Sequence, residues 1–293
     1  MRILIIGASG QAGKELYHYL SSQKDNDVTG TSRNSNPKLL QFDPFKDDWS
    51  PLGKFDVVIN SVGAIYPSRK YPFEKIHGQL TALIIKNLPL MGSPRVIQIS
   101  VLGAEENSDI AFLRTKAIAD NLLLKHKNTF ILRPSIICTH NTMLVRKISS
   151  LIKVGKAFGF VILPGGFLDH KIQPILVQDL CMIIGNICKI NYPEQVIPLV
   201  GPAEISFRNL IEFAMENSGK KIKLLEINRN FIEFFVKNFL SIFFPRLLSY
   251  DQFRLLFKDN TADVKPATIL LGRNPFSTKY FWKGELHAPI NKK

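Results

Sequence analysis

The 293-residue chain, with 45% hydrophobic and 21% charged residues, is long and apolar enough to bury a sizeable core, which excludes a disordered class. Its 38 Lys and Arg against 24 Asp and Glu leave a formal charge of +14, which favours a phosphorylated cofactor, an anionic membrane surface or nucleic acid. No zinc spacing and no aromatic-basic RNA signature accompanies the charge, so no metal site and no nucleic-acid partner is assigned.

Met1-Arg2-Ile3-Leu4 run straight into an apolar segment, which argues against a leader peptide and makes the cytoplasm the expected compartment. The next stretch is Gly7-Ala8-Ser9-Gly10-Gln11-Ala12-Gly13, between the apolar run Ile3 to Ile6 and a helix-forming run from Lys14. Strand, glycine turn and helix in that order make a dinucleotide-binding unit. Gly7 permits the tight turn, Gly10 lets a pyrophosphate approach the backbone, and Gly13 lets the helix pack on the sheet. The helix N-terminus then offers N–H groups to the anion.

A first helix is expected over residues 11–22 and a second strand over 27–31, ending in Thr31-Ser32-Arg33-Asn34. An acid at this point binds a ribose 2′-hydroxyl, whereas an arginine accommodates a 2′-phosphate. With Ser32 and Arg33 and no acid, the loop favours NADP(H) over NAD(H); the alternative is an exposed loop arginine. A short third strand over 39–43 closes at Asp43, placed to contact an adenine edge. The strand over 55–60 ends in Asn60-Ser61-Val62-Gly63, whose small side chains let a cofactor lie close. Residues 71–90 carry apolar positions at helical spacing, and residues 95–100 form a fifth strand ending at Ser100. This alternation specifies an α/β fold, a Rossmann-like doubly wound parallel sheet, with ligands beyond the carboxyl ends of the strands.

Later motifs carry a resemblance. In Phe112-Leu113-Arg114-Thr115-Lys116 the lysine matches the Tyr-x-x-x-Lys pair of extended short-chain dehydrogenase/reductases, with Phe112 at the tyrosine position. Arg133-Pro134-Ser135, Gln173-Pro174, Gly201-Pro202 and the pair Asp251-Gln252 and Asp259-Asn260 extend the match to about residue 265. The chain resembles the atypical branch that contains the NADPH-binding accessory subunit of mitochondrial complex I and bacterial NAD-dependent epimerase/dehydratase-like relatives. The resemblance implies cofactor contacts from Ser100, Lys116, Pro134 and Ser135, and catalytic positions at Lys116 and Ser100. Two departures are Cys138-Thr139-His140-Asn141, where a glycine-containing turn is usual, and His77, where many relatives have asparagine.

In catalytic members the tyrosine moves a proton at the substrate oxygen while the lysine binds ribose and lowers the phenol pKa. Phenylalanine transfers no proton. Tyr66 and Ser100 are the candidate replacement acids. Two functions follow: a protein holding NADP(H) as a structural or regulatory ligand, or an active NADP(H)-dependent oxidoreductase or epimerase/dehydratase-like enzyme on a lipophilic substrate such as a quinone or isoprenoid.

Residues 1–190 read as the nucleotide domain, with 138–170 contributing to a second lobe. Residues 191–293 read as a smaller, mainly helical C-terminal lobe for substrate or partner. Outside the nucleotide core, 143–154 reads as a helix, 158–167 as an apolar glycine-rich connection, 177–190 as a helix holding buried, reduced Cys181 and Cys188, and Ser206 as an N-cap. Residues 228–250 carry Phe231, Phe234, Phe235, Phe239, Phe243 and Phe244, with Asn230, Glu233, Lys237 and Ser241 in one narrow polar stripe. Such a helix is either core or a surface laid on a membrane or membrane complex, on the inner face given the cytoplasmic placement. The tail from Asn274 reads as loosely packed.

Overall fold

The computed structural model describes residues 1–64, 66–139, 142–216, 222–243 and 248–278. They fall into two units, each assembled from separate stretches: Met1–Pro134, Val177–Leu199 and Asp263–Asn274 in the first, and Ser135–Leu176, Val200–Ala262 and Pro275–Lys293 in the second. The stretch Ser135–Leu176, which takes in the expected 138–170, lies in the second unit, and the first unit runs on past residue 190 to Leu199. The strand Val196–Leu199 returns to the first unit, as does the helix Lys265–Leu271.

The first unit is built on seven parallel strands. In chain order they begin with β1 (Arg2–Ile6), β2 (Asp27–Ser32), β3 (Leu40–Gln41), β4 (Val57–Asn60), β5 (Arg95–Ile99) and β6 (Thr129–Pro134). In space the order is Val196–Leu199, β6, β5, β4, β1, β2, β3. Ile3, Leu4, Ile5 and Ile6 are all buried, as expected of a central strand covered on both faces. Chain direction across the sheet reverses between β1 and β4, the place where such folds open a ligand crevice.

Helix α1 (Gln11–Ser21) buries Gly13, Leu16 and Leu20, one stripe along its length. The expected crossover helix over 71–90 is shorter and irregular: a π-helical turn, Lys75–Gln79, leads into α2 (Leu80–Asn87). Tyr71 and Pro72 stand before it, since Pro72 disfavours the helical conformation at Tyr71. Helix α3 (Ala111–Leu124) carries Phe112 and Lys116. The helix Val177–Ile187 holds Cys181; both it and Cys188 are buried free thiols whose burial pushes their pKa up.

In the second unit, α4 (Met143–Phe158) ends at Gly159 in the left-handed conformation at φ +81. The expected connection over 158–167 is instead a strand, Phe160–Pro164, paired in parallel with Lys223–Ile227. Val161 and Leu163 point into a core shared with Ile148, Ile152, Phe207, Leu210 and Ile211. Ser206 caps the helix Phe207–Glu216, its Oγ accepting from the Asn209 N–H at 3.1 Å. The phenylalanine-rich segment divides into Arg229–Phe235, a π-helical turn Val236–Leu240, and Ser241–Phe243. Among these residues only Val236 is buried, while Phe231, Phe234 and Phe243 are each more than 60% exposed. The segment is thus a surface. Phe244, His140, Asn141 and the tail beyond Thr278 lie outside the described residues.

Candidate functional site

The glycine loop closes between β1 and α1. Gly7 adopts φ +88, and a Cβ there would meet Val62 Cγ2 at 2.7 Å. A Cβ on Gly13 would lie 2.3 Å from the Gly7 carbonyl oxygen and 2.7 Å from Ser61 Oγ, so no side chain fits between α1 and the sheet edge. Gly10 is less constrained, its nearest neighbour being the Gly7 oxygen at 3.2 Å. It occupies the N-cap position of α1 with no side-chain cap and no acid in the first turn, which leaves the positive helix end open to an anion. The Ala8 N–H bonds the Thr31 oxygen at 3.0 Å and Ser61 Oγ donates to the Ile6 oxygen at 2.8 Å. These bonds tie the loop to the ends of β2 and β4.

A cleft of about 180 Å³ opens over this loop, lined by Gly7, Ser9, Gly10, Ser32, Arg33, Ser61, Val62 and Gly63, with Phe42, Phe45 and Tyr71 on its far wall. Ala8 is buried beneath it, and Gln11 and Ala12 form the first turn of α1. The structure does not bring every expected residue to the cleft. Asp43 accepts from the Phe45 N–H at 3.1 Å and the Tyr71 hydroxyl at 3.5 Å, so its carboxylate shapes the wall. Asn60 is buried, donating to Gln98 Oε1 at 2.8 Å and accepting from the Val62 N–H at 3.1 Å; it sets the turn. The sequence does not single out Tyr71, Phe45 or Lys75. Its only signal there is a basic-aromatic run, Arg69-Lys70-Tyr71, before an expected helix.

At the next strand end, Lys116 Nζ donates to the Ile99 oxygen at 3.0 Å and the Val62 oxygen at 3.4 Å. Burial pulls its pKa down to about 8, against an opposing pull from Asp120. One turn earlier, Phe112 packs with Phe73 (ring centres 5.7 Å apart) and His77 (5.8 Å). The Thr115 hydroxyl donates to the Ala111 oxygen at 2.8 Å, so it accepts from His77 Nδ1, also at 2.8 Å. His77 Nε2 is buried without a partner, and burial, with Lys116 second, lowers its pKa to about 2. The cluster is neutral and aromatic. Ser100 gives its proton to Asp120 Oδ2 at 2.8 Å, a carboxylate that also accepts from Arg133 Nε at 3.0 Å. Its hydroxyl is committed to that pair, and Tyr66 is half-buried in the loop after β4.

Motifs carrying the more specific part of the resemblance meet in the second unit. Ser135 Oγ bonds Asn260 Oδ1 at 2.5 Å. Gln173 Nε2 donates to the Gly201 oxygen at 2.9 Å, and its own N–H bonds the Asn260 oxygen at 3.1 Å. Asp259 Oδ1 accepts from the Lys171 N–H at 2.9 Å and pairs with His170 at 3.0 Å. A Cβ on Gly201 would fall 1.9 Å from the Pro174 oxygen. These residues knot the unit together, and neither Pro134 nor Ser135 lines the glycine-loop cleft.

No protein-family model matches the chain. Among curated proteins it is 32% identical over 151 residues to "NADH dehydrogenase [ubiquinone] 1 alpha subcomplex subunit 9, mitochondrial" of Arabidopsis thaliana, covering 50% of this chain and 36% of that protein. It is 26% identical over 222 residues to the Dictyostelium discoideum protein of the same name, covering 73% and 59%. The Neurospora crassa "NADH-ubiquinone oxidoreductase 40 kDa subunit, mitochondrial" matches at 21% over 216 residues, 73% and 56%. The chain thus spans less than two thirds of the length of these relatives. All three relatives are named as mitochondrial, against the cytoplasmic compartment expected from the sequence. Among solved structures, UDP-glucuronic acid 4-epimerase from Bacillus cereus in complex with UDP-glucuronic acid and NAD superposes with a TM-score of 0.70 at 16% identity, covering 98% of this chain and 100% of that one. RMD from Pseudomonas aeruginosa complexed with NADPH gives 0.66 at 14%, covering 96% of each. Sequence and fold both place the resemblance where the motifs did: the complex I-type accessory subunits, on the scaffold of the epimerases and dehydratases.

Proposed function

We propose that this chain, a relative of mitochondrial NADH dehydrogenase subunits with an epimerase-type fold, binds NADP(H) as a structural or regulatory ligand and does not turn it over as a dehydrogenase. The observation that carries the reading is the aromatic cluster of Phe73, His77 and Phe112, one turn from Lys116. General acid–base catalysis contributes about 10² to 10⁴-fold, and no hydroxyl stands at Phe112 to supply it. The glycine cradle fits a dinucleotide: Gly7 and Gly13 let the loop close tightly on the sheet edge, Gly10 leaves the α1 N-terminus uncapped by any side chain for an anion, and Lys116 is held for ribose hydroxyls. Arg33 in place of an acid favours the phosphorylated cofactor.

The test is nucleotide analysis of the undialysed protein by fluorescence and mass, then titration with NADPH and NADH and turnover assays with quinones and carbonyls. NADPH that survives purification and is not oxidised is the expected result. Exchangeable nucleotide consumed with an acceptor overturns it and points to an enzyme of lipophilic substrates with another acid. Phe112→Tyr separates the cases further, since added turnover in that variant reveals a latent dehydrogenase site.

The second unit supports a docking role at a membrane surface. The exposed phenylalanines of residues 229–243 lie in the same unit as exposed Phe158, Phe160, Ile162 and Leu225 and exposed Lys153, Lys156, Lys223 and Lys237. Apolar and cationic groups together suit an anionic lipid headgroup layer. No helix among the described residues is long and apolar enough to cross a membrane, and the contact these side chains fit is peripheral.

A further inference from the structure

The far wall of the glycine-loop cleft concentrates positive charge on one aromatic ring. The Arg33 guanidinium carbon lies 4.2 Å from the centre of the Tyr71 ring, Lys75 Nζ 5.1 Å and Lys70 Nζ 5.6 Å. Lys75 Nζ also lies 5.0 Å from the Phe45 ring, which packs on Tyr71 at 6.1 Å. The cations come from opposite sides of the cleft: Arg33 follows β2, while Lys70 and Lys75 come from the segment leading into α2. Among the described residues none of the three has a carboxylate in salt-bridge range. The nearest acid in the network, Asp43, is engaged by Phe45 and Tyr71. Three like charges around one ring repel one another, and cation–π attraction offsets that only in part. An anion with more than one negative charge relieves it.

Resting on the NADP(H) reading above, we propose that Lys75 and Tyr71 complete a clamp whose first jaw is Arg33, and that its ligand is the phosphate dianion on the adenosine ribose. Tyr71 is the platform: its ring holds Arg33 and Lys75 together. Lys75 supplies the second jaw from the π-helical turn, the irregularity that sets its side chain beside Phe45 and Tyr71. Lys70, further out and exposed, adds long-range attraction without fixed contact. The preference for the phosphorylated cofactor is therefore shared between the β2 loop and the start of the crossover helix.

The experiment measures dissociation constants for NADPH, NADH and 2′,5′-ADP in the full chain and in Arg33→Ala, Lys75→Gln and Tyr71→Leu, with Tyr71→Phe as control. Lys75→Gln is expected to weaken NADPH and 2′,5′-ADP about tenfold or more, the loss for one hydrogen bond to a charged group, and to leave NADH unchanged. Tyr71→Leu is expected to lower the preference for NADPH over NADH as Arg33→Ala does, while Tyr71→Phe retains it. Circular dichroism of each variant checks that the fold is intact. Equal loss of NADPH and NADH in Lys75→Gln, or loss of neither, overturns the clamp even if wild type prefers NADPH. A wild type that binds NADH as well as NADPH, or binds neither, overturns the parent reading instead.

Discussion

Lys116 is held in a position that suits a ligand and strains a charge. Its ammonium is buried between two backbone oxygens at a strand edge, a place suited to a ribose and costly for an isolated charge. Its pKa, lowered from 10.5 to about 8, means the unfolded chain binds the proton more tightly than the folded one. Stability therefore rises with pH between about 8 and 10.5, by about 3 kcal/mol at most, and is flat for this group below 8. Urea melts of nucleotide-free wild type and Lys116→Met should show wild type gaining on the variant across that window. A pH-independent difference would show that the ammonium is not buried as described. At this scale the sequence is informative where chemistry demands one residue type: Gly7, Gly13 and Arg33 are legible from the glycine spacing and the strand after it, and Lys116 from the family resemblance. Asp43, Asn60 and Ser100 are recognisable as strand-end polar residues, but their bonds to Phe45, Gln98 and Asp120 depend on partners 2, 38 and 20 positions away. Tyr71 is invisible because an aromatic residue before a proline has no intrinsic tie to a cleft.

Among the elements, residues 228–250 illustrate what a helical wheel leaves open. A narrow polar stripe with apolar residues around the rest of the circumference fits a buried helix and an adsorbed one equally, because periodicity records one polar side and not what covers the others. In the structure the segment breaks at a π-helical turn and leaves Phe231, Phe234 and Phe243 outward. Replacing Phe231 and Phe234 together with serine should leave the thermal midpoint unchanged or slightly raised. A buried pair would lose about 3 to 5 kcal/mol per residue, a fall that calorimetry would register at once and that would return the segment to the core. The strand Phe160–Pro164 escapes the sequence for a related reason: flanked by glycines and following an amphipathic helix, five apolar residues read as a connection until Lys223–Ile227 pairs with them. The π-turn at Lys75–Gln79 is beyond reach too, since its apolar spacing is that of an ordinary helix.

For the whole molecule, the charge of +14 and the outward phenylalanines act on the same measurement. The protein should cosediment with vesicles containing anionic lipid at low salt, bind zwitterionic vesicles weakly, and lose the anionic preference as salt rises, since screening acts within about 10 Å at 0.1 M. No binding at low salt rules out the lipid surface and leaves a protein partner as the occupant. The doubly wound parallel class of the sheet is legible because alternating strands and helices allow few arrangements; the return of Val196–Leu199 and Lys265–Leu271 to the first unit is not, because it depends on late segments finding early ones. The helix Lys265–Leu271 packs on Val177–Ile187, where Asn186 donates to the Leu270 oxygen at 2.7 Å and Arg273 meets the buried Asp179 at 2.7 Å. On the ribosome, then, the first unit cannot finish when its seven strands have been made. Its last layer is synthesised some sixty residues after Val196–Leu199, and until Arg273 emerges the Asp179 carboxylate must stay in water. Through that interval the nascent chain holds one face of its first unit uncovered.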